Sequence, residues 1–260
     1  MTRRQALGQH FLRDAAIARA IVDLVAPTTS DLAVEIGPGA GALTGLLAER
    51  AGRVVALEVD RALAATLRAR LPTVEVLDAD ARTWHYAGLA APAGGRVLIV
   101  GNLPYSVGKP ILAALVEART AIDEMALMLQ REVAERVAAP PGGKAYGSLS
   151  VFVQLHCDVR VALRVPPGAF RPPPKVESAV LHLRVLREPR VPLADARRFE
   201  RVVRAAFAQR RKTLANALGA GLGLPLDLVR QAAAAAGVDP MRRAETLTLP
   251  EFAELTARLS

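Results

Sequence analysis

The sequence predicts an α/β fold. Residues 1–188 read as a Rossmann-like parallel sheet with helices on both faces, and residues 189–260 as a small all-helical domain. Three observations carry this. From Asp31 onward, apolar runs of strand length alternate with stretches of helix length, the pattern of successive βα units. A glycine-rich loop, Gly37-Pro38-Gly39-Ala40-Gly41, separates the first of these strands from the helix after it. Beyond Glu188-Pro189-Arg190-Val191-Pro192, which reads as an interdomain joint, only helical periodicity remains.

In chain order, residues 1–13 form a basic arm that runs through Gly8-Gln9-His10-Phe11-Leu12. Asp14 is placed to cap a helix reaching residue 26. Arg19 and Asp23 interrupt its apolar residues, so it is amphipathic and not a signal-peptide core. Strands are expected at residues 32–36, 54–60, 74–77, 96–101 and 126–129, with helices at 42–49, 110–118 and 132–138 between and after them. Residues 139–144 read as a flexible loop. Two late strands are expected near 149–157 and 178–186. Between them, residues 165–175 contain five prolines, which cannot donate ladder hydrogen bonds, so an ordered loop is expected there.

In the C-terminal domain one amphipathic helix is expected over residues 197–218. Phe199, Val202, Val203, Ala206, Phe207, Leu214 and Leu218 make its apolar stripe. Arg197, Arg201, Arg204, Arg211 and Lys212 fall on the opposite side and suit a phosphate backbone. Arg210 falls inside the stripe, where it needs a partner. Helices follow near 226–236 and from Pro250, the last with Thr248 and Glu251 spaced as a capping box.

Composition narrows the chemistry. The net charge of +9 points to a polyanionic partner. Residues 186–260 hold 13 Lys and Arg against 8 Asp and Glu, so the smaller domain is the more basic per residue. Cys157 is the only cysteine, which excludes an internal disulfide and fits a reducing compartment. The four histidines lack metal-ligand spacing, so no metal is expected. No apolar stretch reaches transmembrane length, and the cytoplasm is the expected location.

Two motifs carry the function. The glycine loop, followed by a second strand ending at Glu58, suits a nucleotide whose ribose diol meets the carboxylate. On this alone a nicotinamide enzyme and an S-adenosylmethionine enzyme are equally served. The strand tips beyond it separate the two. Asp80 follows the third strand and can accept from an adenine amino group. The fourth strand ends in Asn102-Leu103-Pro104-Tyr105. An exocyclic adenine amine is a poor nucleophile because its lone pair is delocalised into the ring. Two acceptors, the Asn102 amide oxygen and the Leu103 carbonyl, can hold its hydrogens and turn the lone pair toward a methyl donor. Pro104 stiffens the turn, and Tyr105 offers a face for an unstacked base.

The sequence resembles the ribosomal RNA adenine dimethyltransferases, and within them the bacterial small-subunit enzymes. Gly8–Leu12, Val34–Thr44, Gly101–Tyr105, Phe170–Val176, Phe207–Leu214 and Arg243-Ala244-Glu245 carry the resemblance, in order and over nearly the whole chain. It departs at His10, where the family usually has asparagine. The resemblance implies a Rossmann-like S-adenosylmethionine-dependent methyltransferase domain. It implies dimethylation of two adjacent adenosines in a hairpin loop near the 3′ end of 16S rRNA. The expected partner is a small-subunit assembly intermediate, met by a monomer. His10, Leu12, Gly37, Gly39, Gly41, Glu58, Asp80 and Asn102 are the expected cofactor residues. Asn102, Leu103, Pro104 and Tyr105 are expected to handle the amine, with Phe170 sandwiching the base against Tyr105. The alternatives are a 23S rRNA adenine methyltransferase conferring antibiotic resistance, a binding module without catalysis, and a nicotinamide oxidoreductase.

Overall fold

The computed structural model describes residues 10–92 and 94–259. Of the expected N-terminal arm, residues 1–9, including Gly8 and Gln9, lie outside the described residues. The elements in order are β1 (Phe11–Leu12), α1 (Ala15–Val25), β2 (Leu32–Ile36), α2 (Thr44–Ala48), β3 (Arg53–Glu58), α3 (Arg61–Arg70), β4 (Glu75–Asp78), β5 (Val97–Asn102) and α4 (Gly108–Glu117). Then come β6 (Glu124–Gln130), α5 (Arg131–Ala138), α6 (Ser148–His156), β7 (Cys157–Val165), β8 (Phe170–Arg171) and β9 (Ser178–Val185). The last four helices are α7 (Ala196–Ala208), α8 (Leu214–Leu222), α9 (Leu226–Ala235) and α10 (Leu249–Arg258).

The chain divides into two compact units. The first takes the described residues up to Glu135 and Asp158–Val185; the second takes Arg136–Cys157 and the residues from Leu186 on. The second unit thus includes residues 136–157, which the sequence assigned to the first domain.

In the first unit seven strands lie in the order β4-β3-β2-β5-β6-β9-β7. Neighbouring strands from β4 to β6 are parallel, and β9 is antiparallel to β6. All five residues of β2 are buried, as a strand covered on both faces requires. The chain winds outward from β2 through β3 to β4, then returns to place β5 on the other side of β2. That reversal is a topological switch point, where open α/β sheets open a crevice for ligands. Asp14 caps α1 by accepting from Ala16 and Ile17 N–H, as expected. β1 and β8 form a separate two-residue ladder, Phe11 opposite Arg171 and Leu12 opposite Phe170.

Residues 148–156 are helical, against the expectation of a strand. Their alternating Val151, Val153 and Leu155 imitated a sheet face, but Gly147 starts the helix and the Ser150 hydroxyl accepts from its N–H. Gln154 then donates to the carbonyls of Val137 and Ala139, which ties this helix to the end of α5. The late strand is β7, one step further on.

The second unit is helical around a core that includes Phe199, Val203, Leu218 and Phe252. The single helix expected over 197–218 is two helices, α7 and α8, with a turn at 209–213. The first N–H groups of α8 explain the break: Leu214 and Ala215 donate to the carbonyls of Arg242 and Pro240. Arg210 therefore leaves the apolar stripe. It donates to the carbonyls of Lys144 and Tyr146 and lies 3.7 Å from Glu245. The Thr248–Glu251 capping box opens α10 as expected.

Candidate active site

One cavity opens at the C-terminal ends of β2 to β5. The glycine loop, Glu35, Glu58, Asp80, His10–Leu12 and Asn102–Tyr105 all line it. The expected cofactor and amine residues thus converge, with Gly41 and Phe170 outside the lining.

Gly37 and Gly39 take φ of 65° and 53°, so the loop turns where side chains are disfavoured. A Cβ on Gly39 would stand 2.9 Å from the Phe11 ring, so the β1 segment covers the loop closely. Gly41 shapes the loop from behind: a Cβ there would meet the Arg70 guanidinium, which donates to the Ala40 carbonyl at 2.6 Å.

Glu58 is only 2 % exposed. Its two oxygens accept from the backbone N–H of Gly39 at 3.0 Å and of Asp60 at 2.9 Å. Burial raises its pKa, and those backbone donors oppose the rise. Two of the carboxylate's roughly four acceptor positions remain for a diol. Glu58 therefore braces the loop while it lines the cavity. Glu58→Gln is expected to weaken S-adenosylmethionine binding about tenfold to a hundredfold, the loss of one charged hydrogen-bond acceptor. Calorimetry on the folded variant checks this, and unchanged affinity removes Glu58 from the site.

Glu35 is not singled out by the sequence, because it sits within an apolar strand. It is buried beside the cavity, and burial, with the charge of Glu58, pushes its pKa to about 8; the Thr44 hydroxyl opposes the rise. Neither Glu35 Oε2 nor Thr44 Oγ1 makes a hydrogen bond of normal geometry. An orphaned buried acceptor at the glycine loop fits a ligand that brings a cationic amino group. The folded protein also keeps a proton on Glu35 that the unfolded chain has released. Its stability is therefore expected to fall as pH rises from the ordinary carboxylate range to about 8, by at most about 1.4 kcal/mol per pH unit. Glu58 contributes in the same direction. Urea unfolding of the wild type and Glu35→Gln at several pH values tests this: the variant should show the flatter profile.

The two carboxylates after β4 are both engaged. Asp78 pairs with Arg68 at 2.6 Å. Asp80 accepts from Arg82 at both oxygens, and that pairing lowers its pKa. The expected Asp80 acceptor thus lies at the cavity with its lone pairs largely committed.

At the tip of β5, Asn102 Nδ2 donates to the His10 carbonyl at 2.8 Å. Leu103 is buried, its N–H held by the Met128 carbonyl, and the Pro104 carbonyl accepts from Val107. The half-buried Tyr105 hydroxyl meets Ser178 Oγ at 2.6 Å, and burial raises its pKa. The Tyr105 ring lies 5.4 Å from that of His10. Gly37 and Asn102 face each other across the switch point; a Cβ on Gly37 would lie 3.7 Å from the Asn102 carbonyl.

Phe170 departs from its expected role. It is 4 % exposed and packed in the core with Leu12 and Ala169. Its ladder with β1 turns the ring inward, so the side chain presents no face to a base in this structure. Among the residues expected to meet RNA, Arg197, Arg201 and Arg204 lie exposed on α7, while Arg211 and Lys212 stand in the turn after it. Arg204 is held by Glu200 and lies 5.2 Å over the Phe152 ring. Among the described residues, no His/Cys/Asp/Glu group could hold a metal ion and no helix is long and apolar enough to cross a membrane.

A Rossmann-like sheet whose switch-point crevice gathers the glycine loop, the buried Glu58 and the Asn102–Tyr105 tip has the architecture of an S-adenosylmethionine-dependent methyltransferase. Comparison with known proteins narrows the class. Residues 1–259 match the family model described as ribosomal RNA adenine dimethylase, and the chain belongs to that family. It is 46 % identical over 258 residues to "Ribosomal RNA small subunit methyltransferase A" of Geobacter metallireducens, covering 97 % of this chain and 94 % of that one. A crystal structure of a 23S rRNA methyltransferase, ErmE, aligns with a TM-score of 0.73 at 28 % identity, covering 96 % and 99 %. A dimethyladenosine transferase from Plasmodium falciparum aligns with a TM-score of 0.78 at 24 % identity, covering 95 % and 96 %, and supports the fold.

Proposed function

We propose that this chain, acting as a cytoplasmic monomer, dimethylates two adjacent adenosines in a hairpin loop near the 3′ end of 16S rRNA, on an assembling small ribosomal subunit. The observation that carries the chemistry is the Asn102–Tyr105 tip opening into the cavity that holds Glu58 and the glycine loop. The choice of subunit rests on the 46 % identity to a small-subunit enzyme, against 28 % to the 23S enzyme.

Bound S-adenosylmethionine supplies an electrophilic methyl group on its sulfonium. The chain's own residues bind and orient. Gly37 and Gly39 let the backbone close on the amino-acid end, Glu58 takes the ribose hydroxyls, and Leu12 with His10 covers the site. Asp80 takes the adenine amino group once Arg82 releases one of its oxygens. Asn102 Oδ1 and the Leu103 carbonyl accept the two hydrogens of the target amine, which turns its lone pair toward the methyl carbon. Tyr105 stacks on the flipped base.

Incubation with labelled methyl donor and purified under-methylated subunits tests the assignment. Label entering the small subunit alone supports it; label entering the large subunit supports the 23S reading.

The basic residues of the second unit are assigned to phosphates. Removing Arg201, Arg211 and Lys212 together should reduce the salt dependence of subunit binding by up to about 0.7–0.9 for each phosphate no longer neutralised, with cofactor affinity unchanged. An unaltered slope returns these side chains to an ordinary solvated surface.

A further inference from the structure

We infer that His10 is a positioning residue for the target amine: its backbone carbonyl fixes which end of the Asn102 amide faces the substrate, and its ring holds that carbonyl in place. The inference rests on the proposed role of Asn102 and adds what sets its orientation.

A terminal amide has two nearly isosteric orientations, so its own shape does not select one. The choice decides function here. With Oδ1 toward the substrate, Asn102 accepts a hydrogen from the amine. With Nδ2 toward it, donor faces donor and the contact repels. The His10 carbonyl can only accept, and it stands 2.8 Å from Asn102 Nδ2. It therefore selects the orientation that leaves Oδ1 for the amine.

The carbonyl is itself held on several sides. The His10 ring Nδ1 lies 2.8 Å from the Pro172 carbonyl. That oxygen has no hydrogen to give, so the bond places the ring proton on Nδ1. The ring also packs against Tyr105 at 5.4 Å, linking the two sides of the cavity mouth. Just beyond, Leu12 pairs with Phe170, and Arg13 N–H donates to the Ala169 carbonyl at 2.8 Å. The strap carrying His10 is thus tied to the 169–172 segment before it reaches Asn102. This gives the buried Phe170 a place in the site: it anchors the strap and does not touch the base. It is also compatible with histidine at a position where the resemblance implies asparagine. Both side chains carry an N–H that can bond a carbonyl.

His10→Ala removes the ring anchor and leaves the carbonyl free to drift. Single-turnover methylation of under-methylated small subunits at saturating S-adenosylmethionine should slow at least tenfold, while subunit affinity stays within about twofold and S-adenosylmethionine affinity falls much less than the rate. His10→Asn should recover most of the rate. In the Asn102→Ala background, His10→Ala should add no further loss, because its effect passes through that amide. A wild-type rate for His10→Ala overturns the inference, as does a loss confined to cofactor affinity or a fully additive double variant. If Asn102→Ala itself turns over at the wild-type rate, the role of Asn102 fails and the inference with it, whereas a wild-type protein that does not methylate small subunits fails the proposed function, so the two failures are told apart.

Discussion

Asn102→Ala should lose roughly a hundredfold to a thousandfold in the methyl-transfer step, the range seen when one preorganised polar contact to a reacting group is removed. The side chain is partly exposed at a strand tip, and its amide bonds to the His10 carbonyl. Its removal therefore leaves the sheet intact, and the thermal midpoint should hold. Cofactor and subunit affinities should fall much less than the rate, because the amide's contact strengthens as the amine attacks. Single-turnover kinetics beside equilibrium binding separates the two. A variant that binds poorly but reacts at the wild-type rate once bound would make Asn102 a binding residue only.

Phe170→Ala should act mainly on stability. Truncating a buried phenylalanine costs about 3–5 kcal/mol, and the Phe170 side chain sits in the core beside Leu12 and Ala169. The variant should melt markedly lower, and its activity should fall with the strap that carries His10. Phe170→Leu distinguishes this from base stacking. Leucine restores much of the core volume but offers no aromatic face. If Phe170 anchors the strap, Phe170→Leu is close to wild type in melting and turnover; a stable but inactive Phe170→Leu would restore the sandwich with Tyr105.

Much of the candidate cavity's lining was legible because strand tips in this fold are short, fixed positions. The glycine loop follows a buried strand, Glu58 ends one and Asn102–Tyr105 begins at the last residue of another, and strand order brings them together. What could not be read depends on contacts between distant segments. Phe170 looked like a free loop aromatic among prolines, and only its ladder with Leu12 reveals that it faces the core. Asp80 looked available until Arg82, two residues on, claimed its oxygens. Glu35 was hidden by its apolar neighbours, although a carboxylate in the middle of Leu32–Ile36 was a visible anomaly. In the second unit, Arg210 inside an apolar stripe was the one sign that the long helix must break. The helix over Ser148–His156 gave a false strand pattern that its neighbours' carbonyls overrule, while the alternation in Asp158-Val159-Arg160-Val161 was the usable signal for β7.

The most direct measurement is mass spectrometry of both ribosomal RNAs after under-methylated small and large subunits are incubated with this protein and S-adenosylmethionine. Two adjacent N6,N6-dimethyladenosines in the hairpin near the 3′ end of the small-subunit RNA, absent with Asn102→Ala, are expected. Methylation of the large-subunit RNA, of another base, or of neither RNA would contradict the account.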